Sequence, residues 1–133
     1  MKYEHIVRYV ASQLWSILPG KMNEILSVLS FRAAGREFTP AEIEAQIGAG
    51  PSSASRSTRG AVAVIPLRGV IAHRMGSMDE SSGGMSAERF TAMVQQATAD
   101  ESIGTILLDV DSPGGSIPGL MEAADAVFAA RAS

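Results

Sequence analysis

An α/β domain with a parallel sheet and crossover helices, preceded by a helical arm, is the fold class that the sequence predicts. Three observations lead there. Up to about residue 47 the apolar residues recur every three to four positions, which is the helical period. Beyond residue 60 the pattern changes to strand, helix, strand, helix, the order that crossover connections and parallel pairing produce. Within that part "IGTILLDV" (residues 103–110) is a continuous apolar run, of the kind buried on both faces of a parallel sheet.

Composition narrows the function classes. The 133 residues are 46% hydrophobic, enough for one small core and an appendage. The net charge is −3 and the nine arginines are scattered, so no basic field exists to hold nucleic acid. There is no cysteine, which excludes disulfides and thiolate metal sites. His5 and His73 lie far apart without metal-ligand spacing, and no cofactor is expected. The N-terminal "MKYEHIVRYVASQLWSILPG" is apolar but is interrupted by Glu4, His5, Arg8 and Gln13. It reads as an amphipathic helix rather than a signal peptide or a membrane span, so a cytoplasmic location is expected.

The elements follow in order. Ile6, Val10, Leu14 and Ile17 share one helical face, and Pro19-Gly20 is expected to break that helix. Met22, Ile25, Leu26 and Leu29 repeat the period in a second helix. "FTPAEIEAQIG" opens a third: Thr39 caps it, Pro40 takes the first helical position, Glu42 completes a capping box and Gly48 ends it. Residues 1–47 are therefore expected to form the arm, and the small, polar "GAGPSSASRSTRG" (48–60) a linker. The core domain is expected to start at residue 61 and to run through residue 133.

"AVAVIPLRGVI" (61–71) reads as strand, tight turn at Arg68-Gly69, short strand. A glycine-rich loop follows, "AHRMGSMDESSGGM". Ser86 is placed to cap a helix over 86–99, with Phe90, Met93, Val94 and Ala97 on its apolar face. After the 103–110 strand, a last helix is expected over 117–132, burying Leu120, Ala123, Ala124, Val127 and Phe128.

The turn between those two elements, "DSPGGS" (111–116), is the chemically informative stretch. In an open parallel sheet, ligands bind beyond the carboxyl ends of the strands. Pro113 halts the strand there. Gly114 and Gly115 lack side chains, so their N–H groups can approach a ligand closely. Ser116 is placed to cap the following helix and Pro118 fits its first turn, adding the partial positive charge of a helix start. Such a turn can be a preformed oxyanion hole, or simply a tight strand-to-helix connection. A phosphate loop is disfavoured, because neither Gly-x-Gly-x-x-Gly spacing nor a Gly-Lys-Ser/Thr ending is present.

"VAVIPLRGVI", the glycine-rich loop, "ERFTAMVQQATADESIGTILLDVDSPGG" and the alanine-rich helix after it resemble the signal peptide peptidase A group, serine peptidase family forty-nine. The similarity is nearest to the phage and prophage members that mature capsids, and it runs from about Leu18 to Ser133. It implies a Clp protease/crotonase-like fold and an oxyanion-hole role for Gly114 and Gly115, with Asp111, Ser112, Pro113 and Ser116 structural at the site. It also implies a protein or peptide substrate, such as a capsid or scaffold protein, and a homo-oligomer. The serine nucleophile and lysine base of that family follow further along the chain than this turn. The only lysines here are Lys2 and Lys21, both in the arm, and the serines at 52, 53, 55, 57, 77, 81 and 82 lie in the linker or glycine-rich loop. The 133 residues are thus expected to carry the oxyanion half of an incomplete core, to be inactive alone, and to leave a sheet edge and apolar surface exposed. Two other functions stay open: an acyl-coenzyme A enzyme on the crotonase fold, and a non-catalytic assembly module of a capsid or scaffold. In a full-length version, replacing Gly115 by Val is expected to remove most turnover and spare the fold.

Overall fold

A computed structural model of the chain describes residues 4–36, 39, 41–42, 57–59, 62–74 and 84–132. The fold is mixed α/β. In chain order the elements are α1 (Glu4–Ser12), β1 (Trp15–Ile17), α2 (Pro19–Ala33), β2 (Ser57–Arg59), β3 (Val62–Arg68), β4 (Ile71–Ala72), β5 (Met85–Ser86), α3 (Ala87–Ala99), β6 (Thr105–Asp111), β7 (Gly114–Ser116) and α4 (Leu120–Ala132).

Two small sheets form. One has the order β2-β3-β6, with β3 and β6 parallel over seven residue pairs from Val62↔Thr105 to Arg68↔Asp111. The other has the order β1-β7-β4-β5. In it β4 runs parallel to both β5 and β7, while β1 runs antiparallel to β7. Pro66 lies beyond the end of the β2 pairing, where a residue without an N–H forfeits no bond to that neighbour.

The core sits between β3 and the crossover helix α3. Ala63 and Ile65 of β3 are fully buried, and α3 buries Phe90, Met93, Val94 and Ala97 against them. These four are the face read from the helical period. Each large member contributes roughly 1.5–3 kcal/mol by leaving water. Ser86 caps α3 as expected: its Oγ accepts the Arg89 N–H at 3.3 Å, and it also donates to the His73 carbonyl at 3.3 Å. The capping box at Thr39 is present as well. The Thr39 N–H donates to Glu42 Oε2 at 2.9 Å and the Glu42 N–H to Thr39 Oγ1 at 3.3 Å. The rest of that expected helix, Phe38, Pro40 and residues 43–48, lies outside the described residues, as do residues 48–56 and 60 of the expected linker.

Four expectations need correction. First, the arm helix does not continue through Leu14 and Ile17. It ends at Ser12, and Trp15–Ile17 is a strand. Pro19 is the cause: it starts α2 at the first helical position, and the residue before a proline is driven out of the helical region. Leu18 accordingly has ψ 130°. Second, the end of the supposed linker, Ser57–Arg59, pairs with Val62–Val64 as β2. Third, β6 is not buried on both faces. It is an edge strand among the described residues, with Leu107 54% and Val110 61% exposed. Fourth, α4 begins at Leu120 and packs on α3 through Ala123, Ala126, Val127 and Ala130, leaving Phe128 72% exposed.

Candidate functional site

The Asp111–Ser116 turn is more elaborate than a strand-to-helix connection. The glycines do not open a helix; they form β7, with β1 on one side and β4 on the other. Ser116 therefore belongs to a strand and caps nothing. Three residues, Ile117 to Gly119, separate it from α4, whose first turn is joined by the Leu120 N–H to the Ile117 carbonyl at 3.1 Å. Both flanking strands come so close that side chains are excluded from the glycines. A Cβ on Gly114, where φ is +107°, would lie 2.9 Å from the Ile17 Cα and 3.0 Å from the Ser16 carbonyl carbon. A Cβ on Gly115 would lie 2.6 and 2.7 Å from the Ile71 carbonyl carbon and nitrogen.

Ser112 ties this turn to the one after β3. Its Oγ donates to the Gly69 carbonyl at 2.6 Å and accepts the Gly114 N–H at 3.1 Å. The Gly69 N–H in turn donates to the Asp111 carbonyl at 2.9 Å. Of the two glycine amides, Gly114's is thus committed to Ser112. Gly115's direction follows from the β1–β7 ladder. The Ile117 N–H donates to the Leu14 carbonyl at 2.8 Å, and the Leu18 N–H to the Pro113 carbonyl at 2.9 Å. Hydrogen-bonded pairs alternate along an antiparallel ladder. The pair midway between these two, Ser16↔Gly115, is therefore one that exchanges both backbone bonds. The Gly115 N–H points towards β1 and meets the Ser16 carbonyl. Pro113, with no N–H of its own, ends the ladder as an acceptor.

Around this turn the charges are paired. Arg68, at the end of β3, bonds the Asp109 carboxylate of β6 and lies in register with Asp111. The hydrogen bond to Asp109 and then its charge hold the Arg68 guanidinium above its ordinary value, with a smaller push from Asp111. Three buried polar atoms nearby have no partner: Arg68 Nε at the end of β3, Ser116 Oγ in β7, and His73 Nδ1 just after β4. His73 is half-buried, and its ring lies against Gly119, where φ is +86° and a Cβ would approach the His73 Cγ to 3.3 Å. No local signal marks that contact; it depends on β4 and β7 lying in register. Lys21 is in α2 and bonds Glu24 at 2.7 Å. Ser52, Ser53, Ser55, Ser77, Ser81, Ser82 and Ser133 lie outside the described residues.

A separate cleft of about 490 Å³ opens at the start of β6, lined by Ala97, Ile103, Leu108, Val127 and Ala130 among others. It is at the opposite end of β6 from the glycines and is walled mainly by the α3–α4 packing, so it does not form part of this site. Among the described residues no helix is long and apolar enough to cross a membrane.

No protein-family profile and no solved structure matches the chain. Two curated phage proteins do. The head-tail preconnector protein GP5 of Enterobacteria phage P21 is 38% identical over 84 residues, which is 63% of this chain and 17% of that protein. The capsid assembly protease C of Escherichia phage lambda is 34% identical over 83 residues, 62% of this chain and 19% of that protein. The chain thus spans about a fifth of the length of these relatives, and over the matched stretch it is related to a phage head-tail preconnector protein and a phage capsid assembly protease.

Proposed function

We propose that this chain supplies the oxyanion-binding part of a serine endopeptidase of the signal peptide peptidase A type, acting on capsid or scaffold protein during phage head assembly. The observation that carries the proposal is the Gly115 amide. It projects from the glycine pair of β7, which the Ser112 hydroxyl and the Pro113 turn hold in place, towards β1, where it meets the Ser16 carbonyl. An amide so fixed costs no reorganisation when charge develops on a carbonyl oxygen. In this reading Gly115 is the donor and Gly114 provides the positive-φ geometry and the anchor to Ser112. Asp111, Ser112, Pro113 and Ser116 shape the turn.

The relatives' names support a capsid-processing role, and the resemblance supports the Clp/crotonase-like arrangement with a Ser/Lys pair carried on other residues of a longer polypeptide. Covalent catalysis needs a nucleophile activated by a nearby base; Lys21 pairs with Glu24 within α2, and Lys2 lies outside the described residues. The test is a fluorophosphonate probe. A product of the longer reading frame is expected to label at one serine beyond residue 133, and the 133-residue chain to stay unlabelled. Labelling of the short chain at Ser77, Ser81, Ser82, Ser112 or Ser116 would overturn the proposal, as would an unlabelled long product.

A second reading, a non-catalytic assembly module, draws support from the arm. Neither α1 nor α2 buries a residue, and Tyr9, Leu26 and Phe31 stand exposed on them. The probe decides between the two.

A further inference from the structure

Resting on the peptidase reading above, we infer that β1 is a built-in occupant of the peptide-binding edge of β7, and that an extended polypeptide substrate takes its place strand for strand. The chain would then carry its own competitive plug.

The argument starts from what holds β1. Its contacts with the body are those of an added strand. The Ile117 N–H bonds Leu14, the Leu18 N–H bonds Pro113, and Ser16 and Gly115 exchange both backbone bonds between them. Main-chain bonds of this kind are available to any extended segment, which is how sheet edges recruit peptides. The side chains add little. Leu14 is 71% and Leu18 63% exposed, Ser16 is exposed, and only Trp15 and Ile17 are half-buried. The helices on either side, α1 and α2, bury nothing, so they do not pin β1 down.

The position of the plug is what ties it to function. The Ser16 carbonyl lies on the one glycine amide that Ser112 leaves available. A substrate carbonyl bound for attack would need that same amide. An occupant therefore has an apolar residue on each side of a central one, as Trp15 and Ile17 flank Ser16. The outer residues face the body and the central carbonyl faces Gly115.

The inference is tested with the full 133-residue chain and a fluorescent peptide of residues 13–19, QLWSILP. A tethered strand competes at millimolar effective concentration, so the unmodified chain should bind the peptide weakly. Ser16→Pro removes the N–H that donates to Gly115 and should expel β1. The variant should bind the peptide at least about tenfold more tightly, by anisotropy. Hydrogen exchange at the Gly115 amide should speed up at least about tenfold in the free variant and slow again with peptide bound.

A second variant covers misfolding of the first. Trp15 and Ser116 are opposite each other at a non-hydrogen-bonded position, where Cα atoms approach to about 4.5 Å and a disulfide fits. The chain has no other cysteine. Oxidised Trp15→Cys/Ser116→Cys should refuse the peptide, and reduction should restore binding. Equal affinity in the oxidised and reduced forms, or no peptide binding by any form up to about 1 mM, would overturn the inference. So would Gly115 exchange that Ser16→Pro leaves unchanged. Peptide binding by this chain together with an unlabelled long product would remove the peptidase reading and leave the plug standing; a labelled long product with no peptide exchange would do the reverse.

Discussion

Replacing Gly115 by alanine should unfold the sheet that holds the turn, not merely silence it. The added Cβ would meet the backbone of Ile71, with its carbonyl carbon 2.6 Å and its nitrogen 2.7 Å away. Carbon atoms pack at about 3.5–4.0 Å, so β4 must retreat by about 1 Å. Backbone cannot rotate aside as a flexible side chain would. Overpacking of this kind costs about 1–3 kcal/mol. Two ladder bonds between β4 and β7 stand to be lost, at about 1 kcal/mol each. The sum, roughly 3–5 kcal/mol, is a large part of the about 5–15 kcal/mol that a small domain has. With a urea slope of about 1–1.5 kcal/mol/M the denaturation midpoint should fall by about 2–5 M. Gly20→Ala is the matched control: nothing lies within 4 Å of its Cβ position in α2, and its midpoint should be unchanged or slightly higher. A Gly115→Ala midpoint within about 0.3 M of the unmodified chain would refute the steric reasoning. The same geometry corrects the expectation that Gly115→Val spares the fold. That substitution cannot isolate an oxyanion role, because it disrupts the sheet first.

The remaining predictions concern the packing and the caps. Ser86→Ala should destabilise by about 1 kcal/mol, since it removes both the cap of α3 and a bond to the His73 carbonyl; a change under about 0.3 kcal/mol by chemical denaturation would contradict this. Phe90→Ala should cost about 3–5 kcal/mol, whereas Phe128→Ala should stay within about 0.5 kcal/mol, because Phe90 is 3% and Phe128 72% exposed. Equal losses would mean that α4 presents a different face to α3. The Glu42 carboxylate is held below its ordinary value, first by the Thr39 backbone N–H and then by the Thr39 hydroxyl. A depressed carboxylate contributes its stabilisation above its unfolded pKa and loses it as pH falls through the folded one. The Thr39 amide resonance should therefore titrate with a midpoint below that of an ordinary exposed glutamate such as one in a short reference peptide; a midpoint at or above that of the peptide would exclude the capping box.

Local chemistry by itself determined much of the chain. The face of α3 and its Ser86 cap, the Thr39–Glu42 box and the β3–turn–β4 order are written in spacings of a few residues, where the period and the cap residues act without distant help. What tertiary structure decided lies wherever the partner is far along the chain. Leu14 to Ile17 fit a helical period, yet they become β1 because Pro19 forbids helix at Leu18 and because β7, about a hundred residues on, offers its unpaired edge. The glycines fit a helix-opening turn, yet they form a strand because the backbones of Ser16 and Ile71 close on them from both sides. The apolar run of β6 says that the strand is buried somewhere, but only the sheet order shows that β6 is itself the edge among the described residues. Short-range patterns fix what a segment prefers; the pairing of backbone groups across the fold, which every buried N–H and carbonyl must find, selects what it becomes.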